Sequence, residues 1–109
     1  MNTLNAISST KIDEFIFENK KPVVVFFWAA WCGPCLMMCP VIKEIITKNN
    51  PAFDIFSIDV DDNPDLAQRF GIEEIPCFLI FRDGETLTAI KGAVGKQKLL
   101  QEISEALTD

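Results

Sequence analysis

The chain contains no histidine. That absence removes every Cys-His and Ser-His nucleophile arrangement and any mixed Cys/His metal site. Basic charge is also scarce. Ten Lys and Arg stand against sixteen Asp and Glu, a net charge of -6, which disfavours nucleic acid and anionic membrane as partners, because both are bound through basic patches. No run approaches the roughly 20 apolar residues that span a bilayer. Met1 to Thr10 has no basic start followed by an apolar stretch of the secretory kind. A cytoplasmic location is the expectation. Repeats, linkers and low-complexity segments are lacking too. What is present is 109 residues, 49% of them hydrophobic, enough for one domain over 1–109 that buries a core without disulfide staples. In a reducing compartment the four cysteines read as catalytic, metal-binding or simply buried rather than as structural bridges.

The apolar pattern sets an order of elements. Leu4 to Ile7 reads as a short edge strand, and Ser8, Ser9 and Thr10 offer N-caps to a helix with Ile12, Phe15 and Ile16 on one face. Asn19-Lys20-Lys21-Pro22 ends that helix. Val23 to Phe27, continuously apolar and β-branched at its start, suits a central strand covered on both faces. A helix is predicted from about Gly33 to Lys48, with Met38, Val41, Ile42, Ile45 and Ile46 as its apolar stripe and Pro40 removing one ladder bond. Phe53 to Val60 is the next strand, and Asn63-Pro64 opens a short helix that reaches Phe70 and closes at Gly71. Cys77 to Arg82 and Thr86 to Lys91 form a hairpin around Asp83-Gly84. Leu99, Leu100, Ile103 and Leu107 share one face of a last helix. The alternation implies an α/β fold with a mixed sheet covered by helices on both sides.

The chemistry sits at one junction. Trp28-Ala29-Ala30-Trp31-Cys32-Gly33-Pro34-Cys35 follows the buried strand directly, so a Cys-x-x-Cys pair falls where strand turns into helix. A thiol in a helix's first turn meets unpaired backbone N–H groups and the positive end of the helix dipole, which favour the nucleophilic thiolate. Gly33 and Pro34 suit the turn and the helix start. Cys39, four residues beyond Cys35, lies on the same helix face, and Cys77 follows Pro76. All four sulfurs could therefore gather in one region as a Cys-only metal or iron–sulfur site. Alternatively, Cys39 and Cys77 are compact buried hydrophobes or secondary redox positions.

Over nearly its whole length the sequence resembles the thioredoxin family. The Trp28 to Cys35 motif matches that family's active site, Ile75-Pro76 its cis-proline loop, and Asp61-x-Asn63-Pro64, Gly84 and Gly92 fall at the family's intervals. The resemblance implies the thioredoxin fold, a central mixed sheet of about five strands flanked by about four helices. It implies a protein-disulfide reductase in which Cys32 attacks and Cys35 resolves the mixed disulfide. Ile75, Pro76, Gly92 and Ala93 would form the substrate groove, and Asp61 would accept the Trp28 indole N–H. No bound cofactor is expected. The implied partners are an NADPH-dependent thioredoxin reductase and disulfide substrates such as peroxide- and nucleotide-reducing enzymes, with the protein acting as a monomer. A thioredoxin-fold interaction subunit with incidental redox chemistry is the other reading.

Two departures stand out. The family's buried aspartate is replaced by Phe26, and Ser57 stands where its lysine partner aligns. The proton of Cys35 would then pass to the departing thiolate, to water or to a more distant carboxylate such as Asp59. Leu36 replaces the basic residue often found after the second cysteine, while Glu73 and Glu74 precede the proline loop with Lys91 nearby in the sequence pattern. These charges read equally as a solvated rim and as altered partner choice.

Overall fold

The computed structural model describes residues 4–8 and 10–108. Its elements are α1 (Ile12–Phe17), β1 (Val23–Trp28), α2 (Gly33–Lys48), β2 (Asp54–Asp59), α3 (Pro64–Arg69), β3 (Cys77–Arg82), β4 (Glu85–Lys91) and α4 (Lys96–Leu107). The strands form one sheet in the order β2-β1-β3-β4. β1 is parallel to β2, and β3 is antiparallel to both β1 and β4.

The sheet has four strands among the described residues, one fewer than the sequence suggests. The segment read as an edge strand makes a single parallel bridge between Ala6 and Ser57. It is held by the Ile7 N–H to the Ser57 carbonyl and the Ser57 N–H to the Asn5 carbonyl. Asn5 adopts a positive φ of 51°, which breaks the extended run that a strand needs. The predicted cap of α1 is also corrected. Lys11 occupies the N-cap with no side-chain cap bond. The Ser8 and Thr10 hydroxyls bond each other at 2.9 Å, and Ser9 lies outside the described residues.

β1 is buried throughout except at its last residue, and its alternating side chains supply two cores. Val24 and Phe26 pack with Met38, Ile42 and Ile45 of α2 and with Leu99 and Ile103 of α4. Val23, Val25 and Phe27 pack on the other face with Ile12 and Ile16 of α1 and Leu66 of α3. This two-sided burial is why the strand reads as a continuous apolar run. Asp83 and Gly84 both have positive φ, 54° and 80°, the geometry of the tightest hairpin turn. Pairing jumps from Ile80↔Thr88 to Phe81↔Thr86, leaving Leu87 as a bulge. No helix among the described residues is long and apolar enough to cross a membrane.

Candidate functional site

β1 ends and α2 begins at the same edge of the sheet, and the intervening loop carries the reactive pair. Cys32 is the N-cap of α2, with extended backbone at φ -91° and ψ 106°. Pro34 sits in the first turn, where its missing N–H costs no intrahelical bond. Cys32 and Cys35 are joined by a disulfide with a Cα–Cα separation of 5.2 Å, within the normal range. The Cys35 N–H donates to Cys32 Sγ at 3.1 Å. In the reduced form this donor and the end of the helix dipole both favour a thiolate on Cys32. Cys32 is 5% exposed and Cys35 fully buried. The disulfide is thus largely covered, and only the Cys32 side offers surface. A Cβ built on Gly33 would meet nothing within 4 Å, so this side of the loop is open to an approaching chain.

The Ile75-Pro76 peptide is cis, as the resemblance implies. The Ile75 carbonyl oxygen lies 3.9 Å from Cys32 Sγ, and the Gly92 N–H donates to the Pro76 carbonyl at 2.9 Å. Ile75, Pro76 and Gly92 are therefore tied together beside the disulfide, with Ala93 next in the chain and exposed. Trp31 is 70% exposed.

The expected bond from Trp28 to Asp61 is not formed. The Trp28 Nε1 is buried and has no hydrogen-bond partner among the described residues. Asp61 is exposed. The acceptor that organises this turn is Asp59, whose Oδ1 takes the Asp61 N–H at 2.9 Å and the Asp62 N–H at 3.4 Å. A carboxylate bonding the backbone two residues on is a local turn device that a sequence signals by an aspartate at the head of a turn, here Asp59 before Asp61. The same Oδ1 takes both amides. The active-site loop is fixed by backbone instead. The Val60 N–H donates to the Trp28 carbonyl at 2.9 Å, and the Cys32 N–H to the Ala29 carbonyl at 3.2 Å.

The four sulfurs do not gather. Cys39 packs against the core that contains Cys32 and Cys35, and its thiol donates to the Cys35 carbonyl at 3.5 Å. Cys77 belongs to the core on the opposite face of the sheet, because the strand alternation after Pro76 turns it away. Among the described residues no group of three or more Cys, Asp or Glu is placed to hold a metal ion. Burial pushes the Cys39 thiol up, with Lys43 opposing. Burial likewise raises the Cys77 thiol, with Lys91 opposing and Glu74 adding to the rise.

The family model described as "Thioredoxin" matches residues 3–105 of this chain. A thioredoxin of Mycobacterium bovis is 42% identical over 92 residues, covering 84% of this chain and 79% of that protein. Thioredoxin 1 of Synechococcus elongatus is 35% identical over 107 residues, 98% of this chain and 100% of its own. A bifunctional thioredoxin reductase/thioredoxin of Mycobacterium leprae is 39% identical over 92 residues, which are 84% of this chain and 20% of that protein. The chain belongs to the thioredoxin family. With the Cys32–Cys35 disulfide at the head of α2, it is a thiol–disulfide oxidoreductase.

This thioredoxin-family chain departs from the family pattern beneath the disulfide. Phe26 and Ser57 are cross-strand partners between β1 and β2, as the alignment of the missing charge pair requires. Phe26 is fully buried. Its ring lies 5.0 Å from that of Phe78 and 6.4 Å from that of Trp28, each at 14° between planes. Ser57 is also fully buried, and its Oγ has no hydrogen-bond partner among the described residues. An aromatic stack thus fills the position under Cys35 that the family gives to a carboxylate. At the surface, Trp31, Leu36 and Met37 are all exposed, so an apolar side chain stands at position 36 where the family often has a basic residue.

Proposed function

We propose that this chain is a protein-disulfide reductase in which the Cys32 thiolate attacks a client disulfide and Cys35 resolves the resulting mixed disulfide. The observation that carries the assignment is the asymmetry of the pair. Cys32 holds the N-cap, accepts the Cys35 N–H and alone has surface, whereas Cys35 is enclosed. An attacking sulfur must be reached by a protein substrate; a resolving sulfur need only reach its neighbour.

In the first step the Cys32 thiolate forms a bond to one client sulfur, and the other leaves as a thiolate. In the second, Cys35 sulfur attacks Cys32 sulfur. The client sulfur departs with the electron pair and takes up the proton that Cys35 gives up. Phe26 stands in the core of Cys35 where the family has its aspartate, which supports transfer of that proton to the departing thiolate or to water.

An NADPH-dependent thioredoxin reductase regenerates the dithiol, and clients include peroxide- and nucleotide-reducing enzymes. The Mycobacterium leprae relative, a bifunctional thioredoxin reductase/thioredoxin, supports the reductase as partner. The protein works as a single-domain monomer in the cytoplasm, where the reducing environment keeps the dithiol available. Turnover of a model protein disulfide, followed as NADPH consumption with a thioredoxin reductase, tests the reading. Sustained consumption that depends on Cys32 is expected. A folded protein with no turnover would refute it.

A further inference from the structure

A recess of about 160 Å³ is lined by Trp31, the residue before Cys32, and by Ile75, the residue before Pro76. Val60, Ala67 and Ile72 add to its apolar lining, and Glu73 and Glu74 add carboxylates. At roughly 30 Å³ per water, the space is that of about five waters, or one long side chain. Ile75 also places its carbonyl against Cys32 Sγ, so the recess shares a residue with the surroundings of the attacking sulfur. Both glutamates are exposed, and neither makes an ion pair among the described residues. Lys91 lines a second depression together with the same two glutamates and, among the described residues, makes no ion pair with either.

From this geometry we infer that the recess selects clients carrying Lys or Arg close to the reactive cysteine. The inference rests on the disulfide-reductase reading and names a specificity device within it. Such a side chain matches both parts of the site. Its aliphatic stem covers the apolar lining, and its charged head meets two carboxylates at the rim, with the exposed Trp31 ring available for a cation–π contact. A glutamate in the same place would bring like charges together and leave the apolar wall uncovered. Because these groups are exposed, the preference acts on the rate of productive encounter and weakens with salt.

The test uses two synthetic peptides, identical except for Lys or Glu two residues from a single cysteine. Each cysteine is capped as a mixed disulfide with a chromogenic aryl thiol. Pre-reduced protein, freed of reductant, is mixed with each in stopped flow. The Cys32 thiolate bonds to the peptide sulfur, and the aryl thiolate leaves with the electron pair because it is the weaker base. At low salt the Lys peptide should react about three- to tenfold faster, in keeping with two exposed rim charges, and the ratio should approach one at high salt. Glu73→Gln/Glu74→Gln should abolish the preference, and Glu73→Lys/Glu74→Lys should invert it. Glu85→Gln/Glu105→Gln, an equal loss of charge distant from the disulfide end of the sheet, should leave it unchanged. Equal rates, or a preference that survives in the Glu73/Glu74 variants, would overturn the inference while leaving the reductase reading intact. If neither peptide reacted, the reductase reading itself would fail, and the inference with it.

Discussion

Replacing Phe26 with aspartate restores the family's residue in a site that has been rebuilt around an aromatic ring. Phe26 is fully buried and stacked between Phe78 and Trp28. Removing a buried aromatic of this kind costs about 3–5 kcal/mol, and burying a polar group without partners adds about 1–3 kcal/mol. Ser57, across the strand with an unpartnered hydroxyl, can donate to the new carboxyl and recover about 1 kcal/mol. Phe26→Asp should therefore destabilise the fold by roughly 3–7 kcal/mol under acidic conditions, a large part of the ~5–15 kcal/mol typical of a domain. Burial disfavours the ionised carboxylate, so its folded-state pKa rises above the unfolded value of about 3.9. The ionisation penalty is then absent below the unfolded pKa, grows as pH rises toward the folded pKa and is constant above it. Urea melts of variant and parent from about pH 3 to about pH 8 should show a gap that widens with pH. Mixed-disulfide decay should quicken at the same time if the carboxylate serves Cys35 as a base. Equal stability at neutral pH, or a gap that narrows as pH rises, would refute the argument that this ring is sealed into the core beside the cysteines.

Cys35→Ser should accumulate client adducts on Cys32, whereas Cys32→Ser should lose turnover without trapping; mass spectrometry of the captured species would overturn the roles if adducts fell mainly on Cys35. Cys39→Ala/Cys77→Thr should keep disulfide reduction within about twofold of the parent, since neither thiol enters the two-sulfur exchange, and a collapse with the fold intact would contradict that. Because burial raises both thiols, Cys39 and Cys77 should alkylate far more slowly than the reduced Cys32 near neutral pH and gain rate as pH rises toward their elevated pKa values. Peptide mapping after timed iodoacetamide quenches would check this. Gly84→Ala should destabilise by about 1–3 kcal/mol, because φ there is 80° and an added Cβ would come within 2.6 Å of the Phe17 ring; an unchanged urea midpoint would refute that reading of the hairpin.

The sequence alone determined what depends on neighbours in the chain. The span of α2 was legible because its apolar stripe and Pro34 at its start are local signals. The two-sided burial of β1 followed from an unbroken apolar run, and the hairpin from Asp83-Gly84. The reactive pair declared itself through spacing at a strand-to-helix junction. Tertiary structure decided what depends on which face a side chain takes and what meets it there. Strand alternation sent Cys77 to the opposite face from Cys39, so adjacency to Pro76 did not bring it to the disulfide. The Leu4 to Ile7 segment had strand composition, but pairing at one bridge, not propensity, set its extent. Trp28 and Asp61 had the right types and interval, yet the Trp28 indole N–H has no partner among the described residues, and Asp61 engages the turn through its backbone N–H to Asp59. A hydrogen bond needs direction as well as partners, and direction is fixed only when the whole sheet is assembled.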